Sequence, residues 1–331
     1  MFNRLLSTVV ILLCCLSSVS AQPIRLVDQQ GREVVLQQPA TRIVTTFTPA
    51  NLFSLSLGLA DQLVGIGGST KQSPLISQLL GERDPLVIGS RSAGTSLETI
   101  VALNPDLVLV YGKKDGYRLA DRLTSLGIAS IIIQPETFSD AQAVLDLIAK
   151  AAGVEDKAAT IAAENQRLAN IISTALADLP KEQRLQAYYA SSSDLFRTAS
   201  EQMFQHELMA KAGLDNVVSG VPGFFPKVNA EQLLLWKPQI LVRGSNGSDK
   251  VDEQLNDSLM TSLKKLPQVH IPQGSFWDMP SPMAMASALY VAANAYPERF
   301  KSIDVEAEIA RYYQVAFGQS CLSPLQEFKK C

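Results

Sequence analysis

The chain has 331 residues, 47% apolar and 18% charged, with a formal net charge of −3. That balance describes a soluble globular chain rather than a disordered or membrane-embedded one, and its length accommodates two ordinary domains. The small acidic excess gives no support to nucleic-acid binding, which shows as a basic surplus.

The first 21 residues read as a signal peptide. Arg4 precedes an apolar run over 5–16 that is too short to anchor in a bilayer, and Val19-Ser20-Ala21 offers small residues to a signal peptidase. Cys14 and Cys15 raise a lipoprotein as an alternative, but neither follows a small-residue lipobox. Cleavage after Ala21 and export to the periplasm is the expectation. Two cysteines then remain, Cys321 and Cys331, placed to close a short tail loop in an oxidising compartment.

Residues 24–28 and 33–36 flank Gly31 and read as a hairpin, ended by Pro39. A buried strand at 42–45 leads through Thr46-Phe47-Thr48-Pro49 into a helix at 50–59. A short strand at 63–66 runs into Gly65-Ile66-Gly67-Gly68-Ser69-Thr70-Lys71. That turn lacks the phosphate-loop spacing, so nucleotide binding there is rejected. Strands at 107–110 and 131–133 bracket a helix at 116–126, and Ser139 with Gln142 fits a capping box opening a helix to 152. Strands alternating with helices imply a parallel sheet covered on both faces.

Residues 155–179 contain no Gly and no Pro. Apolar side chains recur there at Ala158, Ile161, Ala162, Leu168, Ile172, Ala175, Leu176 and Leu179, keeping one face apolar. Glu155 and Asp156 suit the positive end of a helix, and Pro180 stops it. The pattern predicts one helix of roughly 35–40 Å. Beyond it come strands at 185–189, 240–242 and 269–271 and helices at 204–212, 283–295 and 305–317. The expected fold is α/β, two lobes with mostly parallel sheets joined by one long backbone helix. Its divisions are a signal peptide at 1–21, an N-terminal α/β lobe at 22–152, a linker helix at 153–180, a C-terminal α/β lobe at 181–320 and a tail at 321–331.

Two segments repeat across that helix. In Leu97-Glu98-Thr99-Ile100-Val101-Ala102-Leu103-Asn104-Pro105 and Ala230-Glu231-Gln232-Leu233-Leu234-Leu235-Trp236-Lys237-Pro238, a Glu opens a short helix, a Pro ends it, and an apolar strand follows. With Asp28-x-x-Gly31-Arg32-x-Val34 and Thr41-Arg42-Ile43-Val44, this pattern resembles the periplasmic solute-binding proteins of ABC importers for ferric siderophores and cobalamin. The resemblance covers about residues 22–318. It implies a monomer with a ligand cleft between lobes, no cofactor, and an ABC permease–ATPase complex of the inner membrane as partner. By motif position it puts Glu98 and Glu231 against arginines of the permease, a contact that suits exposed carboxylates at a helix start.

Strand exits mix hydroxyls, aromatics and cations, a set suited to an intact metal chelate with net negative charge. Arg91, Tyr111, Tyr189 and Trp277 are the candidate ligand contacts, Arg91 because siderophore-binding relatives place an Arg near this point. The segment Trp277-Asp278-Met279-Pro280-Ser281-Pro282 is similar to molybdate-type relatives, so an oxyanion stays open beside iron chelates and cobalamin. Bare-metal capture is not expected, because the only histidines are His206 and His270 and neither has ligand spacing. No serine elbow, zinc-protease motif or dinucleotide fingerprint is present, so an enzyme is not expected. A ligand sensor on the same fold is the remaining alternative.

Overall fold

The computed structural model describes residues 22–68, 73–90, 94–113, 115–244, 249–320 and 323–326. The expected signal peptide at 1–21, Arg91, Cys321 and Cys331 lie outside them. A hairpin of β1 (Ile24–Val27) and β2 (Glu33–Leu36) turns at Gly31, whose φ of +75° suits a residue without a side chain. Then come β3 (Ile43–Thr45), α1 (Thr48–Ser56), β4 (Leu63–Ile66), α2 (Pro74–Leu80) and β5 (Leu86–Val87). A small antiparallel pair, β6 (Gly89–Ser90) and β7 (Gly94–Thr95), precedes α3 (Leu97–Ala102), β8 (Leu107–Tyr111), α4 (Gly116–Ser125), β9 (Ser130–Ile133) and α5 (Phe138–Ala152). After α6 (Glu155–Ala175) the alternation resumes with β10 (Gln186–Ala190), α7 (Phe204–Lys211), β11 (Asp215–Asn216), α8 (Ala230–Trp236) and β12 (Ile240–Arg243). The last elements are α9 (Asp249–Leu255), α10 (Thr261–Lys264), β13 (Gln268–His270), α11 (Ala284–Ala295), α12 (Pro297–Phe300) and α13 (Val305–Phe317).

The strands form two parallel sheets, one in each lobe, ordered β5-β4-β3-β8-β9 and β11-β10-β12-β13. Strands β8, β9 and β12 are buried on both faces, which explains their apolar runs. The two lobes are not independently packed. One continuous apolar cluster runs from Ile43 and Leu107 of the first sheet through α1, α5, α6, α11 and α13 to Ala187 and Val242 of the second. No helix among the described residues is long and apolar enough to cross a membrane.

The long helix ends at Ala175, four residues before the expected 179; Leu176 caps it and the chain turns. Its buried positions are Ala158, Ile161, Glu164, Leu168 and Ile172, so a carboxylate fills the gap in the apolar stripe. Glu164 accepts from Arg167 at 2.9 and 2.7 Å and pairs with Arg311 of α13 at 3.2 Å, while Arg167 also reaches Glu308. A correction concerns the start of α5. The capping box there is Thr137 with Asp140 rather than Ser139 with Gln142: the Thr137 hydroxyl accepts from Asp140 N–H at 3.0 Å, and the Asp140 carboxylate accepts from Thr137 N–H at 3.1 Å.

Candidate functional site between the lobes

In open parallel sheets, ligands sit beyond the carboxyl ends of the strands, where the strand order reverses. Here those points are β3/β8 in the first sheet and β10/β12 in the second. The chain leaves β3 through Phe47 and ends β8 at Tyr111. Their rings stack with centroids 4.4 Å apart, and the Thr46 hydroxyl accepts from Tyr111 N–H at 3.2 Å, tying the two exits together. Lys113, two residues on, ion-pairs with Glu136 beyond β9. Its Nζ lies 5.6 Å from the Tyr111 ring centroid and 4.0 Å from that of Phe224, which belongs to the loop between β11 and α8. Exits from both sheets therefore meet at one ammonium group. Burial opposes the charge on Lys113, but the hydrogen bond to Glu136, with help from Tyr111, outweighs it and raises its pKa. Burial also raises the Glu136 carboxyl, with Lys113 working against it.

On the second lobe, Phe224 stands edge-on to Phe225 at 5.0 Å, and Phe225 lies 6.3 Å from Tyr189. Phe225 is in the left-handed region at φ +48°, with its N–H on Met203 Sδ at 3.1 Å. Such a conformation persists for a bulky residue only when its surroundings hold it. The Tyr189 hydroxyl donates to Asp278 Oδ2 at 2.9 Å. Burial, then the Asp278 charge, pushes this phenol well above its usual range, so it stays a donor. Gly244 makes the arrangement possible, since a Cβ there would lie 2.6 Å from the Tyr189 hydroxyl and 2.8 Å from Asp278 Oδ2.

The candidate contacts named from sequence fall in different places. Tyr111 is half-buried in the aromatic group at the lobe junction. Tyr189 is closed off beneath Phe225, at 1% exposure. Trp277 is a core residue: it is 0% exposed, its indole N–H donates to the Tyr313 hydroxyl at 2.9 Å, and Tyr290 packs edge-on at 5.3 Å. It offers no surface to a ligand in this arrangement. Sequence reasoning passed over Phe224 and Phe225, and placed Lys113 only among the strand-exit residues without choosing it as a contact. The available signal was a pair of adjacent aromatics set among Gly220, Pro222, Gly223 and Pro226, where no packing periodicity accounts for them.

Glu98 and Glu231 occupy the same position in matched helices. Each is exposed, second after an N-cap whose side chain accepts from the third helical N–H: Ser96 from Thr99 at 3.1 Å, Asn229 from Gln232 at 2.8 Å. Ile100 and Leu233 are buried alike, as are Pro105 and Pro238. The residue before each proline, Asn104 and Lys237, is left-handed at φ +45° and +50°. The repeat is thus geometric as well as sequential.

Among the described residues no group of three His, Cys, Asp or Glu converges on a possible metal site. His206 sits 3.3 Å from the Asn216 amide, and His270 lies near Arg243 and Asp252. A surface depression of about 740 Å³ lies elsewhere, bounded by Gln22, Arg25, Lys150 and Glu155 at the start of α6, away from both strand-order reversals.

Comparison with known proteins bears on the fold and the family. A curated relative, the molybdate-binding protein MolA of Haemophilus influenzae, is 22% identical over 93% of this chain and 95% of its own. The vitamin B12-binding protein of Salmonella typhimurium is 28% identical over 71% of this chain and 82% of its own. Among solved structures, Helicobacter pylori Ceue with Ni(II) bound superposes with a TM-score of 0.77 at 21% identity, covering 91% of this chain and 99% of that one. Molybdate-bound MolA gives a TM-score of 0.76 at 20% identity, covering 89% and 98%. The profile described as periplasmic binding protein matches residues 43–263, well over half of the sequence. The chain belongs to the periplasmic binding protein family, whose relatives here are solute-binding proteins of ABC transporters.

Proposed function

We propose that the protein captures an iron chelate of the ferric-siderophore type between its lobes and hands it unchanged to an ABC permease. The observation that carries this reading is the convergence of Phe47, Tyr111, Phe224 and Phe225 with Lys113 at the exits of both sheets. Flat rings supply contact area for a large conjugated cargo and the ammonium offsets negative charge, whereas a compact oxyanion needs mainly hydrogen-bond donors. Tyr111 and Arg91 are the contacts we favour; Tyr189 packs against Phe225. Glu98 and Glu231 would grip permease arginines, one from each lobe. The leader at 1–21 directs the protein to the periplasm, where Cys321 and Cys331 would pair.

The test is calorimetric titration with ferric chelates, cobalamin, haem and molybdate. Binding of a ferric chelate well above the others is expected; binding of molybdate alone would overturn the chelate reading. That second reading has its own support, since the molybdate-binding relative matches 93% of the chain. For docking, Glu98→Ala with Glu231→Ala should abolish uptake in cells and leave cargo affinity intact. Wild-type uptake by that double variant removes the docking role.

A further inference from the structure

Beside the shared apolar cluster, two of the side-chain joints between elements before and after α6 differ in kind. Near the start of α5, Phe138 packs on Phe204 of α7 at 5.4 Å and its N–H donates to Glu207 Oε2 at 2.7 Å. Phe204 is buried, so this joint is part of the core. The other joint is Lys113 over Phe224, a residue that is 58% exposed. Nothing of the core rests on it, so it can open without unfolding either lobe. The loop carrying Phe224 is tied to its own lobe by Ser200 Oγ donating to Gly223 C=O at 2.7 Å and Thr198 N–H donating to Pro226 C=O at 3.1 Å. Its tip bends at Gly220 and Gly223, both at positive φ.

The ammonium has two rival partners. The Phe224 ring holds it across the lobe junction through its negative face, well within the roughly 6 Å range of a cation–π contact. Glu136 holds it on its own lobe and cancels its charge. We propose that Lys113 is the specificity-determining residue of the cleft: it clasps the lobes through Phe224 and gives up that contact to a cargo bearing negative charge. An anionic cargo outcompetes the Phe224 ring for the ammonium and a neutral cargo does not, so opening of the clasp and discrimination by charge are one event. This rests on the inter-lobe cleft of the proposed function and adds to it which side chain selects.

Two measurements test it on the protein with Lys113→Gln, Phe224→Leu, both together, and Lys113→Arg. In the first, without added cargo, hydrogen exchange of the amides over 220–225 should quicken about fivefold in each single variant, the scale of one cation–π contact. The double variant should be no faster than either single, and Lys113→Arg should exchange like wild type. Silent singles, or a double that multiplies the two effects, overturns the clasp. In the second, calorimetry compares a trianionic ferric tris-catecholate, a neutral ferric trihydroxamate and molybdate. Lys113→Gln should lower the ratio of anionic to neutral affinity about tenfold, the scale of a charge-assisted contact, and Lys113→Arg should restore it. An unchanged ratio overturns the selector. A wild type that binds molybdate and neither chelate overturns the chelate reading alone, because Lys113→Gln against molybdate still decides this one. Binding of none of the three overturns both.

Discussion

Replacing either partner of the ion cluster between α6 and α13 should have unequal effects. Glu164 occupies a core position of α6 with its side chain 6% exposed; Arg167 and Arg311 are 27% and 60% exposed. Arg167→Met removes two donors from a buried carboxylate and leaves it with one largely hydrated guanidinium. A hydrogen bond to a charged group contributes about 1.5–3 kcal/mol, and water reaching the partly open Arg167 side replaces some of that. A net loss of about 2 kcal/mol is expected. Glu164→Met instead sets an unbranched apolar chain in line with Ile161 and Leu168, leaving Arg167 paired with Glu308 and Arg311 in water. Removing one partner of a buried pair is costly when it strands a buried charge. Here the buried member itself is removed and the arginines left behind are partly or largely exposed, so the change should stay within about 0.5 kcal/mol of wild type. Urea denaturation followed by circular dichroism measures both. At about 1.5 °C per kcal/mol for a chain of roughly 300 residues, the arginine variant should also melt about 3 °C lower. If Glu164→Met costs as much as Arg167→Met, the carboxylate is not the buried, dependent member and the reasoning fails.

Lys237→Asn should stabilise the protein by about 0.5–1 kcal/mol, because Asn tolerates the left-handed backbone that Lys237 holds at φ +50°; a lower urea midpoint would contradict this. Trp277→Phe should cost about 1–3 kcal/mol by leaving the buried Tyr313 hydroxyl without its donor. A neutral outcome in the same assay would mean that the core relaxes around the loss. Burial, and secondarily the Arg243 charge, hold the His270 imidazole below its usual pKa, with Asp252 opposing. A base depressed in the fold favours the folded state above its unfolded value, about 6.5, and this contribution is lost as pH falls through the folded value. His270→Gln should therefore show a smaller fall in urea midpoint between pH 7.5 and 5 than wild type; equal falls refute it.

Much of the architecture was legible because buried parallel strands are written as unbroken apolar runs. The stretches at 107–110, 131–133 and 240–242 could hardly be anything else. The last helix, Val305–Phe317, coincides with its expected span, and the long helix was over-extended only where Leu176 and Leu179 continue the apolar rhythm past the turn. Strands of two residues, such as β5 and β11, are too short to show any period. Two capping patterns lie within three residues of each other at α5, and only the reach of the Asp140 side chain decides between them. Trp277 sat in a polar, aromatic stretch that reads as a strand exit, but its partner Tyr313 lies far along the chain and no local pattern announces it. Lys113 and Phe224 meet only because two sheets are brought mouth to mouth, a juxtaposition no linear spacing encodes.

The common apolar cluster through α5, α6, α11 and α13 carries a further consequence. Severing the chain near Gly153 would strip each fragment of the surface that seals the other, so neither piece should survive alone in dilute buffer. Calorimetry on the intact molecule should record a single endotherm, both halves melting as one.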